Sequence, residues 1–191
     1  ISGESRGGFF ALAYSTAQLL FSVGGFEIRP VQSTDIKNKF TFNQYFTSRM
    51  LNCIIMLICM IGYIVVNGYT GVEALTVFWI LGYRMVEAVA DVYSGLFQQR
   101  ERIDISGKEM LMRSGISTIT FTIILWLTDN LLYAAMTLTL TSLVIMLFYD
   151  LHMKKYFEPT PVHLEWRGIL GIYNACWPLF VSSFIMNLSL I

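Results

Sequence analysis

Residues Glu73 to Gln99 read EALTVFWILGYRMVEAVADVYSGLFQQ. A helix of about 20 mainly apolar residues spans roughly 30 Å of hydrocarbon, so this stretch is long enough to cross a bilayer. It nonetheless carries Arg84, Glu87 and Asp91 near its middle. Ionisable groups at that depth are costly unless they pair with one another or meet water, and they commonly mark a pathway or binding site. Spacings of i, i+3 and i+7 put all three on one helix face. Two readings of that stripe stay open. Arg84 and Glu87 can neutralise each other as a structural pair. Alternatively the face lines a hydrated cavity, where arginine suits phosphate or an acidic sugar and the carboxylates suit sugar hydroxyls, a proton or a cation.

The composition agrees with a membrane setting. Of 191 residues, 55% are hydrophobic and 14% charged, against about 25% charged in ordinary soluble domains. Mean hydropathy is +0.58. The formal net charge is zero, so bulk attraction to nucleic acid has no support. Cys53, Cys59 and Cys176 make no CxxC pair, and the two histidines are far apart, so no zinc ligand set is expected. The chain starts at Ile1 and ends inside an apolar run, which reads as a piece of a longer protein.

Working outward from 73–97, five further apolar segments appear at 8–26, 49–67, 110–128, 131–149 and 168–191. Lengths near 20 without strict alternation favour helices over barrel strands. The expectation is an all-α, polytopic transmembrane bundle of about six spans, with a single domain over 1–191. The connections alternate. NGYTG (67–71) and TDN (128–130) are short turns, whereas 27–48, 98–109 and 150–167 are long and polar. Of the 13 Lys and Arg residues, all but Arg6 and Arg84 lie in or beside those three long connections. The excess of positive charge places them in the cytoplasm.

Two flanking regions add candidates. Arg29, Gln32 and Asp35 in FEIRPVQSTDI follow the first span at three-residue spacing. They read either as a gate for substrate or as a plain juxtamembrane cap, with Pro30 stopping the helix and Asp35 capping a following turn. Gln98, Gln99, Arg100, Arg102 and Asp104 read as solvated surface charge or as a basic rim for an anionic lipid head group. No Ser-His-Asp arrangement, HExxH or phosphate-binding glycine loop is present, and the outer turns are short, so an enzyme is not expected.

The order GGFEIRPVQSTD (24–35), RMVEAVADVYSGLFQQRERID (84–104) and GKEMLMRS (107–114), followed by CWPLF (176–180), resembles Wzx-type polysaccharide and O-antigen flippases. These belong to the multidrug/oligosaccharidyl-lipid/polysaccharide (MATE-like) exporter superfamily. The resemblance runs from about Gly7 to Asp150. It implies the N-terminal half of a transporter, with a first span before Ile1, set in a bacterial inner membrane. It implies movement of undecaprenyl-diphosphate-linked oligosaccharide repeat units between leaflets for surface polysaccharide (lipopolysaccharide, O-antigen) synthesis, by alternating access and without a cofactor. The partners it implies are lipid-linked oligosaccharide, membrane lipids and other polysaccharide-assembly proteins. By position, Arg84 would be a cavity cation with Glu87 and Asp91 beside it, and Arg29, Gln32 and Asp35 would stand at the cytoplasmic mouth. The alternative within the same fold is a cation-coupled multidrug or metabolite exporter, with Glu87 or Asp91 binding H⁺ or Na⁺.

Overall fold

A computed structural model describes residues 3–188. Among the described residues there is no strand. The helices are α1 (Gly3–Gly25), α2 (Ile28–Thr34), α3 (Phe42–Val66), α4 (Gly71–Gln99), α5 (Ile103–Thr128) and α6 (Leu131–Ile145). α6 runs on through a π-helical turn (Met146–Asp150) into α7 (Leu151–Phe157), and α8 spans Ile169–Leu188. Residues 189–191, the end of the expected sixth span, lie outside the described residues.

α4 is the hub. It packs against α1, α2, α3, α5, α6 and α7. Val77, Ile80, Leu81, Ala88, Ala90, Val92 and Phe97 are fully buried on it. Two apolar clusters stand along its length, one including Ala17, Met60, Ile80 and Ala135, the other Ile28, Tyr45, Leu96, Phe97 and Ile172. The outer helices turn large apolar side chains outward. Ile58 on α3 is 63% exposed and Leu111 on α5 is 74% exposed. Large apolar side chains turned outward in such number suit acyl chains better than water.

Three helices are long and apolar enough to cross a membrane: Phe42–Val66, Ile103–Thr128 and Leu131–Phe157. A fourth is added if α1 and α2, bent by 44° at their junction, count as one span. That is fewer than the six expected. α4 drops out because Arg84, Glu87 and Asp91 interrupt its 29 residues. In α8 the apolar stretch over Ile169–Ser183 is short.

The polar connections are also shorter than expected. α2 fills part of 27–48, and α3 starts early because Thr41 and Gln44 form a reciprocal capping box. α5 starts at Ile103, so the connection after α4 is a tight turn with Glu101 at φ 59°. The π-helical turn and α7 carry the chain past 150 as helix.

The three remaining connections converge at one end of the bundle. Gln99 donates to the Asp35 carbonyl at 2.7 Å. Arg100 lies 3.6 Å from Glu158. Glu165 accepts from Thr41 at 2.6 Å and from Gln44 at 3.1 Å, while its own N–H donates to Thr47 at 2.7 Å.

Candidate functional site

The charged stripe of α4 does not form one cluster; neighbouring helices divide it. Arg84 pairs with Glu87 at 2.5 Å, and both side chains are mostly buried. Tyr83 also donates to Glu87, at 2.9 Å. The Arg84 guanidinium stacks over the Tyr14 ring of α1, 4.5 Å from its centroid, with Phe21 at 5.8 Å. An aromatic face attracts the cation electrostatically and shields it without needing water. The structural pairing foreseen for Arg84 and Glu87 is therefore present, and it faces protein.

Asp91 belongs to a different group. One carboxylate oxygen accepts from Arg29 at 2.9 Å, the other from Arg49 at 2.9 Å. Arg49 is fully buried near the start of α3. Its second terminal nitrogen donates to the Gly24 carbonyl at 2.9 Å. The chain breaks there. After Gly25, Phe26 and Glu27 take positive φ values of 44° and 51°, ending α1. A helix end leaves carbonyls without intrahelical partners, and Arg49 supplies one. The interruption thus lies at Gly24–Glu27, not at Pro30, which sits in the first turn of α2 where its missing N–H costs nothing. Gly24 also sits close against α3. A Cβ there would lie 2.7 Å from the Met56 sulfur.

Arg29 and Asp91 line a cleft of about 470 Å³ at this bend, together with Gln18, Phe21, Ser22, Glu27 and Gln98. Arg29 also donates to Gln98 at 3.3 Å.

The other two residues expected at the mouth stand elsewhere. Gln32 is fully buried against Gly95, and neither amide atom has a hydrogen-bond partner. A Cβ on Gly95 would fall 2.4 Å from the Gln32 oxygen, so only glycine admits this contact. Asp35 ends α2 and ties the turn after it, accepting from the Lys39 and Phe40 N–H groups and from the Tyr45 hydroxyl at 3.0 Å. That is the turn-capping role, away from the cleft lining.

A third charged group went unread in the sequence. Glu109 and Arg113 on α5 pair at i, i+4, and Ser94 of α4 also donates to Glu109. Asp150, in the π-helical turn, lies 3.5 Å from Arg113. Glu109 and Asp150 are completely buried. Two signals were available: an i, i+4 Glu–Arg pair at the start of an apolar run, and an aspartate closing LVIMLFYD. Arg49 gave less. Its partner lies 42 positions away, and nothing local marks it as more than a flanking cation.

Among the described residues, no three His, Cys, Asp or Glu side chains converge as a metal site. Comparison of the chain with protein-family models, curated proteins and solved structures found no match. What the fold defines is a helical membrane protein with a charged cleft at a broken helix.

Proposed function

We propose that this chain is part of a transporter that moves lipid-linked oligosaccharide, carried on undecaprenyl diphosphate, across a bacterial inner membrane for surface polysaccharide synthesis. The observation that carries the reading is the cleft at the α1–α2 bend. There Arg29 and, behind it, the buried Arg49 share one carboxylate, Asp91, so this trio carries one positive charge in excess, with the Glu27 carboxylate also on the cleft wall. Arg29 is the exposed member, with 30% of its side chain accessible. Its guanidinium fork suits a diphosphate, which would replace Asp91 as its partner while Asp91 keeps Arg49. Gln18, Ser22 and Gln98 offer neutral donors and acceptors for sugar hydroxyls. A head group can be sheltered in this way while its lipid tail stays among acyl chains, and no covalent chemistry is needed.

In this reading all six segments cross the membrane. α4 is the central span, protected from lipid by its neighbours, and the converging basic connections face the cytoplasm. The test is complementation of a strain deficient in lipid-linked oligosaccharide export. Arg29→Ala is expected to insert normally and to abolish export, with Arg29→Lys restoring part of it. Full export by Arg29→Ala removes the role assigned to the cleft.

A second reading rests on Glu27. This carboxylate also lines the cleft and offsets the excess positive charge, which suits a cationic amphipathic substrate of a cation-coupled exporter. Efflux of a cationic dye that depends on Glu27, with surface polysaccharide unaffected, would favour it.

A further inference from the structure

We infer that Glu109, Arg113 and Asp150 form a binding site for one monovalent cation, a proton or Na⁺, at the π-helical turn that follows α6. The site lies apart from the cleft and does not depend on what the cleft carries.

The argument is one of charge and satisfaction. Two carboxylates and one guanidinium are enclosed together, so the group carries one negative charge in excess. Glu109 takes the available donors, Arg113 and the Ser94 hydroxyl. Asp150 has none. Its side chain is fully buried, and neither oxygen has a hydrogen-bond partner. Arg113 stands off at 3.5 Å. A buried carboxylate without hydrogen-bond donors is among the least favourable arrangements a protein can hold; a proton, an ion or an ordered water can complete it, and of these only a cation also removes the excess negative charge.

The backbone adds a second observation. Asp150 closes a π-helical turn, Met146–Asp150, inserted between α6 and α7. Such turns are rare and recur at functional sites, because they rotate one side chain out of the regular helical register.

The surroundings bring no positive charge to Asp150 beyond Arg113. The charged groups facing Glu109 from other elements are Arg29 of α2 and Asp91 of α4; Asp91 also holds Arg49, so the positive charge in excess there stands toward Glu109 and not toward Asp150. The groups facing Asp150 are Glu109 and Arg113 of α5 and the Tyr93 phenol of α4, with Tyr149 beside it on its own turn.

A proton and Na⁺ satisfy the same deficit, and two measurements on the purified full chain separate them. The first is the melting temperature as Na⁺ replaces choline at constant ionic strength. The second is infrared difference spectroscopy at pH 7 against alkaline pH, reading the C=O stretch of a protonated carboxyl. Sodium binding predicts a saturable rise in melting temperature that Asp150→Asn loses. Proton binding predicts no sodium response and a protonated-carboxyl band. Asp150→Asn and Glu109→Gln should each lose that band, because each leaves one carboxylate for one guanidinium. The wild-type protein alone can overturn the inference, by giving neither a sodium response nor the band. So can either folded variant, by retaining the wild-type signal in full.

Discussion

Replacing Asp91 by alanine isolates what the α4 stripe does for the fold. Asp91 holds two arginines at 2.9 Å each, but they are not equivalent. Arg49 is completely buried, and its Nε already lacks a hydrogen-bond partner. Arg29 is 30% accessible and keeps Gln98 as an acceptor. Removing Asp91 therefore strands a buried guanidinium whose one remaining acceptor is the Gly24 carbonyl. Breaking a buried pair from one side costs about 3–5 kcal/mol. Arg29→Ala leaves the Asp91–Arg49 pair whole and removes a partly solvated interaction worth about 0–1 kcal/mol. The two variants should thus differ by at least ~2 kcal/mol, roughly thirtyfold in the folded-to-unfolded ratio. Reversible unfolding in mixed detergent–denaturant micelles measures this. Arg49→Met added to Asp91→Ala should recover most of the loss, because the stranded charge goes with it. If Asp91→Ala unfolds no more readily than Arg29→Ala, Arg49 does not rely on that carboxylate and the account of the buried pair is wrong.

Gly95→Ala should destabilise by about 1–3 kcal/mol, since the new methyl overlaps the Gln32 amide. Adding Gln32→Ala should relieve it, and unfolding of the single and double variants checks both. Thr41→Ala removes the capping box of α3 and a hydrogen bond to Glu165. A loss of about 1 kcal/mol is expected in the same unfolding measurement. Glu165→Ala keeps the backbone bond to Thr47 but frees the 158–168 connection from Thr41 and Gln44. Limited proteolysis should then cut that connection faster while overall unfolding changes little. Equal cleavage rates would mean the two acceptor contacts do not hold it.

What could be read in advance followed the range over which each signal acts. The helical class and the charged α4 were legible because apolar run length and i, i+3, i+7 spacing are local properties. So was the pairing of Arg84 with Glu87, one turn apart on the same helix. The division of the stripe was not legible, because Asp91 turns away from Arg84 only when Arg29 and Arg49 are brought to it from 62 and 42 positions away. Gln32 shared its spacing with Arg29 and Asp35, but the glycine at position 95 that receives it belongs to another helix. Glu109, Arg113 and Asp150 are not legible as a group, because Asp150 lies 37 positions or more from the other two and only the packed helices enclose them. Span number is less legible for a related reason: α4 and α8 are long enough to cross, but the charges within α4 and the short apolar stretch of α8 leave only three or four helices that meet a strict apolar count.

The Gly24 carbonyl now occupied by Arg49 is the acceptor that a continuous helix would offer to the N–H of residue 28, four positions on. In a straight helix, guanidinium and peptide would have to share the two lone pairs of one oxygen. Straightening the first helix would therefore shift Arg49 and, with it, its bond to Asp91. The kink therefore works as a bolt thrown from α3, and any rearrangement that draws Asp91 away from Arg49 loosens the bolt and the cleft wall together.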